Sequence, residues 1–152
     1  MLPRLKTKLT VTSTAFNEGD VIPSEFIHHN INPPLKIAYI PDETKSLCII
    51  IEAPYVEGRG YCKWMAWNIN PEKDSELSSP FMMSRNITDC IKYDEQSISD
   101  KQQRYCFHVY ALNESVSLKQ DISNRELRNI IQEYIIADGS LMGVYEEVNV
   151  IV

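Results

Sequence analysis

A carboxylate and an ammonium group flank one glycine-containing loop in this sequence. Glu52 follows an apolar run at residues 46–51, and Lys63 precedes a second apolar run at residues 64–69. An ammonium has three hydrogen-bond donors and no acceptor, so Lys63 acts as a point cation toward a phosphate or a carboxylate. Arg59 adds a second cation within the loop. Residues of these types can form either a small-anion site or an ion pair of Glu52 with Lys63 that closes the same space.

These alternatives differ in what the two charges do. If Glu52 and Lys63 are buried together, removing one partner costs roughly 3 to 5 kcal/mol, because the other charge is left uncompensated. A further alternative makes Lys63 an outward-pointing surface lysine, since a register shift of one residue before Trp64 turns side chains to the other face of the sheet. Arg59 is open to being a solvated loop residue. The sequence leaves these alternatives open.

A third apolar run, at residues 104–112, and the residue before it carry polar groups that can also contact an anion. Residues 104–112 read as a strong strand, and Gln103 stands immediately before it. Tyr105 offers a phenolic hydroxyl to an anion, and the Gln103 amide can donate a hydrogen bond but cannot change its charge. The alternative role for Tyr105 is structural, with the ring packed under the sheet.

The elements that must position these groups are mainly strands. Residues 46–51 form a continuous run that is apolar from Leu47 onward, as expected of a strand that is covered on both faces. A helix is predicted from the capping-box spacing of Ser123 and Glu126, with Gly139 as its C-terminal cap. Residues 81–101 show poor periodicity and predict a long loop. Alternating or continuous apolar runs predict strands at residues 9–16, 36–40, 46–51, 64–69, 104–112 and 143–152.

Composition limits the class of protein. The chain has 152 residues, which favours one domain over residues 1–152. The net charge of −6 disfavours a nucleic-acid partner, because phosphate binding draws on a basic surface. No apolar stretch approaches the ~20 residues of a membrane-spanning helix, and no signal-peptide pattern precedes the first strand, so we expect a cytoplasmic protein.

The cysteines and histidines predict no metal site. The four cysteines lack Cys-x-x-Cys spacing and mostly lie in or beside apolar runs, which favours small buried side chains, with a disulfide or a metal site as alternatives. His28 and His29 are adjacent in a polar loop, and His108 lies in a predicted strand. We therefore expect neither a metal nor a cofactor.

Four segments, in the right order, resemble motifs of the phosphatidylethanolamine-binding protein family, in particular its bacterial branch related to Raf kinase inhibitor protein. Residues 15–23 resemble Phe-x-x-Gly-x-x-Ile-Pro, and residues 52–68 are a degenerate form of Asp-Pro-Asp-x-Pro followed by Gly-x-Gly-x-x-His-Trp. Residues 103–112 resemble His-Arg-Tyr-x-Phe-x-Val-Tyr-Ala-Leu, and residues 141–145 resemble Leu-x-Gly-x-Tyr. The resemblance spans most of the chain, and the last two motifs are the specific ones.

The resemblance implies a mainly β, PEBP-like fold. It has a large central antiparallel sheet, a smaller sheet packed on it, and one or two peripheral helices. It also implies a cavity at one end of the sheet that accepts phosphate, phosphorylethanolamine or carboxylate groups. Carried over by position, the family's pocket residues fall on Glu52 and Lys63 in the first signature and on Gln103 and Tyr105 in the second. The proline at the pocket mouth falls on Pro54.

The functional expectation is a non-enzymatic binding or regulatory protein with an altered pocket. An alternative is a protein-interaction module, such as an inhibitor of a protease or a kinase pathway, with Phe81–Met83 as an apolar patch. A hydrolase is disfavoured because the chain has no Gly-x-Ser-x-Gly, no His-Glu-x-x-His and no P-loop. No catalytic residue is expected. Because bacterial relatives are often dimers, the resemblance leaves open a homodimer that uses Val148–Val152.

Overall fold

A computed structural model describes residues 7–28, 33–53, 55, 62–71, 76–77, 102–118 and 122–146 of the chain. The strands are β1 (Thr7–Lys8), β2 (Thr10–Thr12), β3 (Leu35–Ala38), β4 (Ser46–Glu52), β5 (Cys62–Ile69), β6 (Glu76–Leu77), β7 (Gln102–Leu112) and β8 (Ile135–Glu146). The helices are α1 (Ser24–His28) and α2 (Asn124–Ile131), and a 3₁₀ helix (Gln132–Tyr134) leads from α2 into β8.

The strands form two sheets. The central sheet has five strands in the order β1-β8-β7-β4-β5, and the smaller sheet has the order β2-β3-β6. Pairing within the central sheet is antiparallel except between β1 and β8, which are parallel. The predicted mainly β fold with a large sheet, a smaller sheet and peripheral helices is confirmed, and the large sheet is mixed because of β1.

Apolar side chains cover both faces of the central sheet. Every residue of β4 is buried, as the uninterrupted apolar run predicts. One face packs on the small sheet, where Ile49 and Phe107 meet Val11 and Ile37. The other face packs on α2 through Leu127. We call these the small-sheet face and the helix face.

The predicted helix is correct at its start and wrong at its end. The Ser123 hydroxyl accepts a hydrogen bond from the Glu126 backbone N–H at 3.1 Å, which is the expected N-terminal cap. The α-helix ends at Ile131, and Gly139 lies inside β8, paired with Val109. A Cβ at Gly139 would collide with the backbone of Leu9. The absence of a side chain at Gly139 therefore allows Leu9, which follows β1, to lie close against β8.

Other boundaries also differ from the prediction. Of the single strand expected at residues 9–16, only Thr10–Thr12 are in a strand, with β1 just before them, and the closing strand begins at residue 135 instead of 143. Residues 76–77, which fall outside the predicted strands, form β6, which pairs with β3. Residues 81–101 and 147–152 lie outside the described residues, as do the interaction patch at Phe81–Met83 and the dimer segment Val148–Val152.

Candidate functional site

The charge of Glu52 is balanced by an arginine from helix α2. Glu52 ends β4, and its side chain is only 7% exposed. Its carboxylate accepts a hydrogen bond from Arg128 Nη2 and forms an ion pair with it. Arg128 also donates from Nη1 to the Tyr110 hydroxyl and from Nε to Asn124 Oδ1, each at 2.9 Å. A buried carboxylate held in this way presents little net negative charge to its surroundings.

His108 lies beside this ion pair as a neutral imidazole. Its Nε2 is 3.9 Å from Glu52 Oε1, which is too long for a hydrogen bond. Its ring meets the Tyr55 ring edge-on at 5.6 Å and stacks with the Tyr110 ring at 6.3 Å. Burial lowers the pKa of His108 below its ordinary value, and the nearby Asp138 carboxylate opposes that shift. The ring is therefore uncharged at neutral pH.

A thiol, an imidazole and a carboxylate stand in series on the helix face, but they are not poised for catalysis. Cys106 Sγ is 3.7 Å from His108 Nδ1, and Glu52 lies on the far side of the ring. Burial raises the pKa of the Cys106 thiol to about 11. A nucleophilic cysteine needs a lowered pKa and access to substrate, whereas Cys106 is only 2% exposed. The thiol stays protonated and enclosed.

The residues of the second signature lie on the opposite face. Tyr105 is buried on the small-sheet face, in the same apolar cluster as Phe107 and Val109. Its ring meets the Tyr145 ring edge-on at 6.4 Å. Gln103 pairs with Tyr145 in the β7–β8 ladder and shares this face with Tyr105, because side chains alternate along a strand. The structure thus brings Gln103, Tyr105 and Tyr145 together and separates them from Glu52.

The register between β4 and β5 is irregular where Lys63 stands. Glu52 pairs with Cys62, whereas Ile51 pairs with Trp64, so Lys63 is an additional residue in β5. Cys62 and Trp64 consequently lie on opposite faces, where strict alternation would place them on the same one. The side chain of Lys63 lies outside the described residues, as do Pro54 and Arg59.

Sequence reasoning missed the partners of Glu52 and Tyr105. Arg128 is separated from Glu52 by 76 positions, and nothing in the apolar periodicity of α2 marks it as a partner. One signal was present in the chain, because a carboxylate that ends a fully buried strand requires a cation. Tyr145 belongs to the Leu-x-Gly-x-Tyr motif at residues 141–145, and no local pattern places it beside Tyr105.

Two further observations concern membrane crossing and metal binding. Within the described ranges, no helix is long and apolar enough to cross a membrane. Within the same ranges, no group of three or more histidine, cysteine, aspartate or glutamate side chains is arranged to hold a metal ion.

Comparison with known proteins identifies relatives over nearly the whole chain. Residues 12–146 match the family model described as phosphatidylethanolamine-binding protein. The UPF0098 protein PH1269 of Pyrococcus horikoshii is 32% identical over 148 residues, covering 88% of this chain and 75% of that protein. A UPF0098 protein of Chlamydia trachomatis is 31% identical over 149 residues, covering 91% of this chain and 99% of that protein.

Two solved structures have similar folds. The crystal structure of the phosphatidylethanolamine-binding protein homologue CT736 from Chlamydia trachomatis has a TM-score of 0.77 and 28% identity, covering 94% of this chain and 100% of that chain. The structure of Escherichia coli YbcL, described as a member of the mammalian PEBP family, has a TM-score of 0.73 and covers 93% of this chain and 100% of that chain. At 19% identity, YbcL supports the fold alone.

Proposed function

This chain belongs to the phosphatidylethanolamine-binding protein family, and from that premise we propose that it is a non-enzymatic binding or regulatory protein for a small anion. The ligand is a phosphate, a phosphorylethanolamine or a carboxylate. Its site is the small-sheet face at the end of β7 and β8, where Gln103, Tyr105 and Tyr145 lie together.

The pairing of Glu52 with Arg128 carries this proposal. Glu52 is the buried acidic side chain of the described residues, and it lies at the same end of the sheet as Tyr105. An uncompensated carboxylate there would repel an anion, because charges interact strongly in a low-dielectric interior. Since Arg128 neutralises Glu52 on the helix face, the small-sheet face is left suited to an anionic group.

The proposed contacts combine neutral donors with one cation. Phenol hydroxyls of Tyr105 and Tyr145 and the amide of Gln103 can each donate a hydrogen bond to an oxyanion. Lys63, at the irregular position of β5, supplies the positive charge in this proposal. The family resemblance adds Pro54 as a residue of the mouth, and Arg59 is proposed as a second cation from the loop. With Glu52 already paired to Arg128, Lys63 is not required as its counter-ion.

The chemistry of the described side chains supports a role without catalysis. The buried Cys106 thiol is not activated by His108, since burial raises its pKa to about 11. Cys48, Cys62 and Cys106 are all free thiols, which suits a reducing compartment, and we therefore propose a cytoplasmic location.

A thermal-shift titration tests the proposal. Purified protein is titrated with phosphate, phosphorylethanolamine and acetate, because a ligand that binds only the native state raises Tm with its concentration. Tyr105→Phe and Lys63→Ala are compared with Tyr39→Phe, a matched control on an exposed tyrosine that is 76% accessible. We expect a rise in Tm for the wild type and the control, and a smaller rise for both site variants. Absence of any rise, or an equal rise in all variants, contradicts the proposal.

A further inference from the structure

Helix α2 covers only part of the helix face of the central sheet. It packs over β4 and β5, where Ile50 and Met65 belong to its apolar cluster. The strands β7, β8 and β1 extend beyond that cover and carry polar side chains on the same face. Here the surface forms a groove of about 400 Å³, whose polar lining comprises Lys8, His108, Tyr110, Asp138 and Ser140.

The sheet register fixes the layout of this groove. His108 pairs with Ser140, and Tyr110 pairs with Asp138, so two aromatic rings lie beside two polar side chains. Asp138 in turn pairs with Lys8 across the parallel β1–β8 ladder. The backbone of Gly139 adds no side chain between them. The result is a row running from an imidazole through a phenol and a carboxylate to an ammonium.

The two charges at one end form a displaceable ion pair. Lys8 Nζ is 3.1 Å from Asp138 Oδ1, and the two side chains are 85% and 28% exposed. Exposed pairs of this kind contribute little to stability, because water competes for both charges. A ligand with its own opposite charges can therefore separate Lys8 from Asp138 and satisfy each of them.

The two rings at the other end form an uncharged platform. The planes of His108 and Tyr110 are inclined by only 22°. The Tyr110 hydroxyl accepts from Arg128, which Glu52 and Asn124 hold in place, so the phenol is anchored before a ligand arrives. Aromatic rings favour offset or edge contacts with another ring at about 4.5 to 7 Å between centroids.

We propose that this groove binds a small zwitterion of the aromatic α-amino-acid class. The ligand ammonium takes the place of Lys8 at Asp138, and the ligand carboxylate accepts from the displaced Lys8 ammonium. The ring of the ligand lies on His108 and Tyr110. A simple anion satisfies Lys8 but faces the Asp138 carboxylate, and a simple cation has the reverse mismatch. The groove is thus selective for a ligand that carries both charges.

Binding is tested by isothermal titration calorimetry with four probes. L-phenylalanine carries both charges and a ring, its amide only the cation, 3-phenylpropionate only the anion, and glycine has no ring. We expect saturable binding of phenylalanine with a Kd on the order of 1 mM, and at least tenfold weaker binding of the other three. Comparable binding of the amide or of 3-phenylpropionate, or no saturable binding of phenylalanine, overturns the proposal.

Substitutions test whether phenylalanine binds in this groove and whether the groove is distinct from the proposed anion site. Asp138→Asn should weaken phenylalanine binding at least about tenfold, and the exposed Asp42→Asn is the matched control. Lys8→Gln, on a side chain that is 85% exposed, provides the same test if Asp138→Asn folds poorly. Tyr105→Phe should leave phenylalanine binding unchanged, since Tyr105 lies on the other face. Unchanged affinity in Lys8→Gln, or equal loss in Asp42→Asn, contradicts the assignment.

Discussion

The Arg128 guanidinium lies against the Glu52 carboxylate and connects helix α2 to the end of strand β4. The same guanidinium donates to Tyr110 and Asn124, so one cation joins the end of β4, a tyrosine of the adjacent strand β7 and the first turn of the helix. Because Glu52 is buried, this contact decides whether its charge is tolerated inside the protein.

Removal of Arg128 should therefore destabilise the protein more than removal of a neighbouring arginine. We expect Arg128→Met to lower the free energy of unfolding by roughly 2 to 4 kcal/mol, somewhat below the cost for a fully buried pair, since this side chain is 35% exposed. Urea unfolding followed by fluorescence of the buried Trp64 and Trp67 measures the loss. Arg125→Met, on the exposed side of α2, is the control and should change stability little.

A double variant checks the origin of that loss. Glu52→Gln combined with Arg128→Met removes both charges, so it should lose less stability than the sum of the two single variants. Additive losses would mean that the two side chains contribute independently and that the ion pair is not the cause.

Stability should fall on mild acidification because of His108. Burial holds its folded-state pKa below the ordinary 6.5, so the unfolded chain binds a proton more readily than the native protein. The contribution of neutral His108 is complete above about pH 6.5 and is lost as the pH falls toward the lower folded-state value. Urea unfolding at about pH 7.5 and about pH 5.5 brackets the ordinary histidine pKa.

The matching variant is His108→Gln, which cannot take up a proton in that range. Its free energy of unfolding should change less between the two pH values than that of the wild type. The same pH dependence in the variant would show that His108 is not its source.

The described cysteines should resist thiol reagents in the native protein. Burial raises the pKa of Cys48 to about 12 and that of Cys106 to about 11, so the reactive thiolate is scarce at neutral pH. Alkylation followed by peptide mass spectrometry should show slow modification of both residues and rapid modification in urea. Fast labelling of Cys106 in the folded state would contradict this prediction and support a nucleophilic role for the thiol.

The N-terminal cap of α2 should contribute measurably to stability. Ser123→Ala removes the hydroxyl that accepts from the Glu126 N–H, and we expect a loss of about 1 kcal/mol in the free energy of unfolding. Ser117→Ala, at an exposed position before the helix, is the control. Equal stability of the two variants would show that water replaces the cap without cost.

Local patterns predicted the strands well because burial dictates their composition. The apolar run that ends at Glu52 is a buried central strand, and the motif around Tyr105 lies within β7. Patterns failed where long-range contacts decide the structure. Gly139 looked like a helix cap, but its missing Cβ serves the approach of Leu9 in space.

The candidate site was predictable only in part for the same reason. Gln103 and Tyr105 lie together as alternation requires, whereas Glu52 faces the other side of the sheet. Its partner Arg128 comes from a helix 76 positions away, and local spacing carries no information about that contact. Lys63 is close to Glu52 in sequence, but its side chain lies outside the described residues, so the predicted Glu52–Lys63 pair stays a prediction.

The parallel pairing of β1 with β8 has a consequence for the time course of synthesis. Lys8 and its partner Asp138 are 130 positions apart, so a ribosome working at about 5 to 20 residues per second needs on the order of ten seconds to produce the second after the first. During that interval β1 has no strand to join, although the β4–β5 hairpin can already pair. Completion of the central sheet must wait until β8 has left the exit tunnel, and until then the apolar strands β4 and β7 lack the cover that the finished sheet gives them.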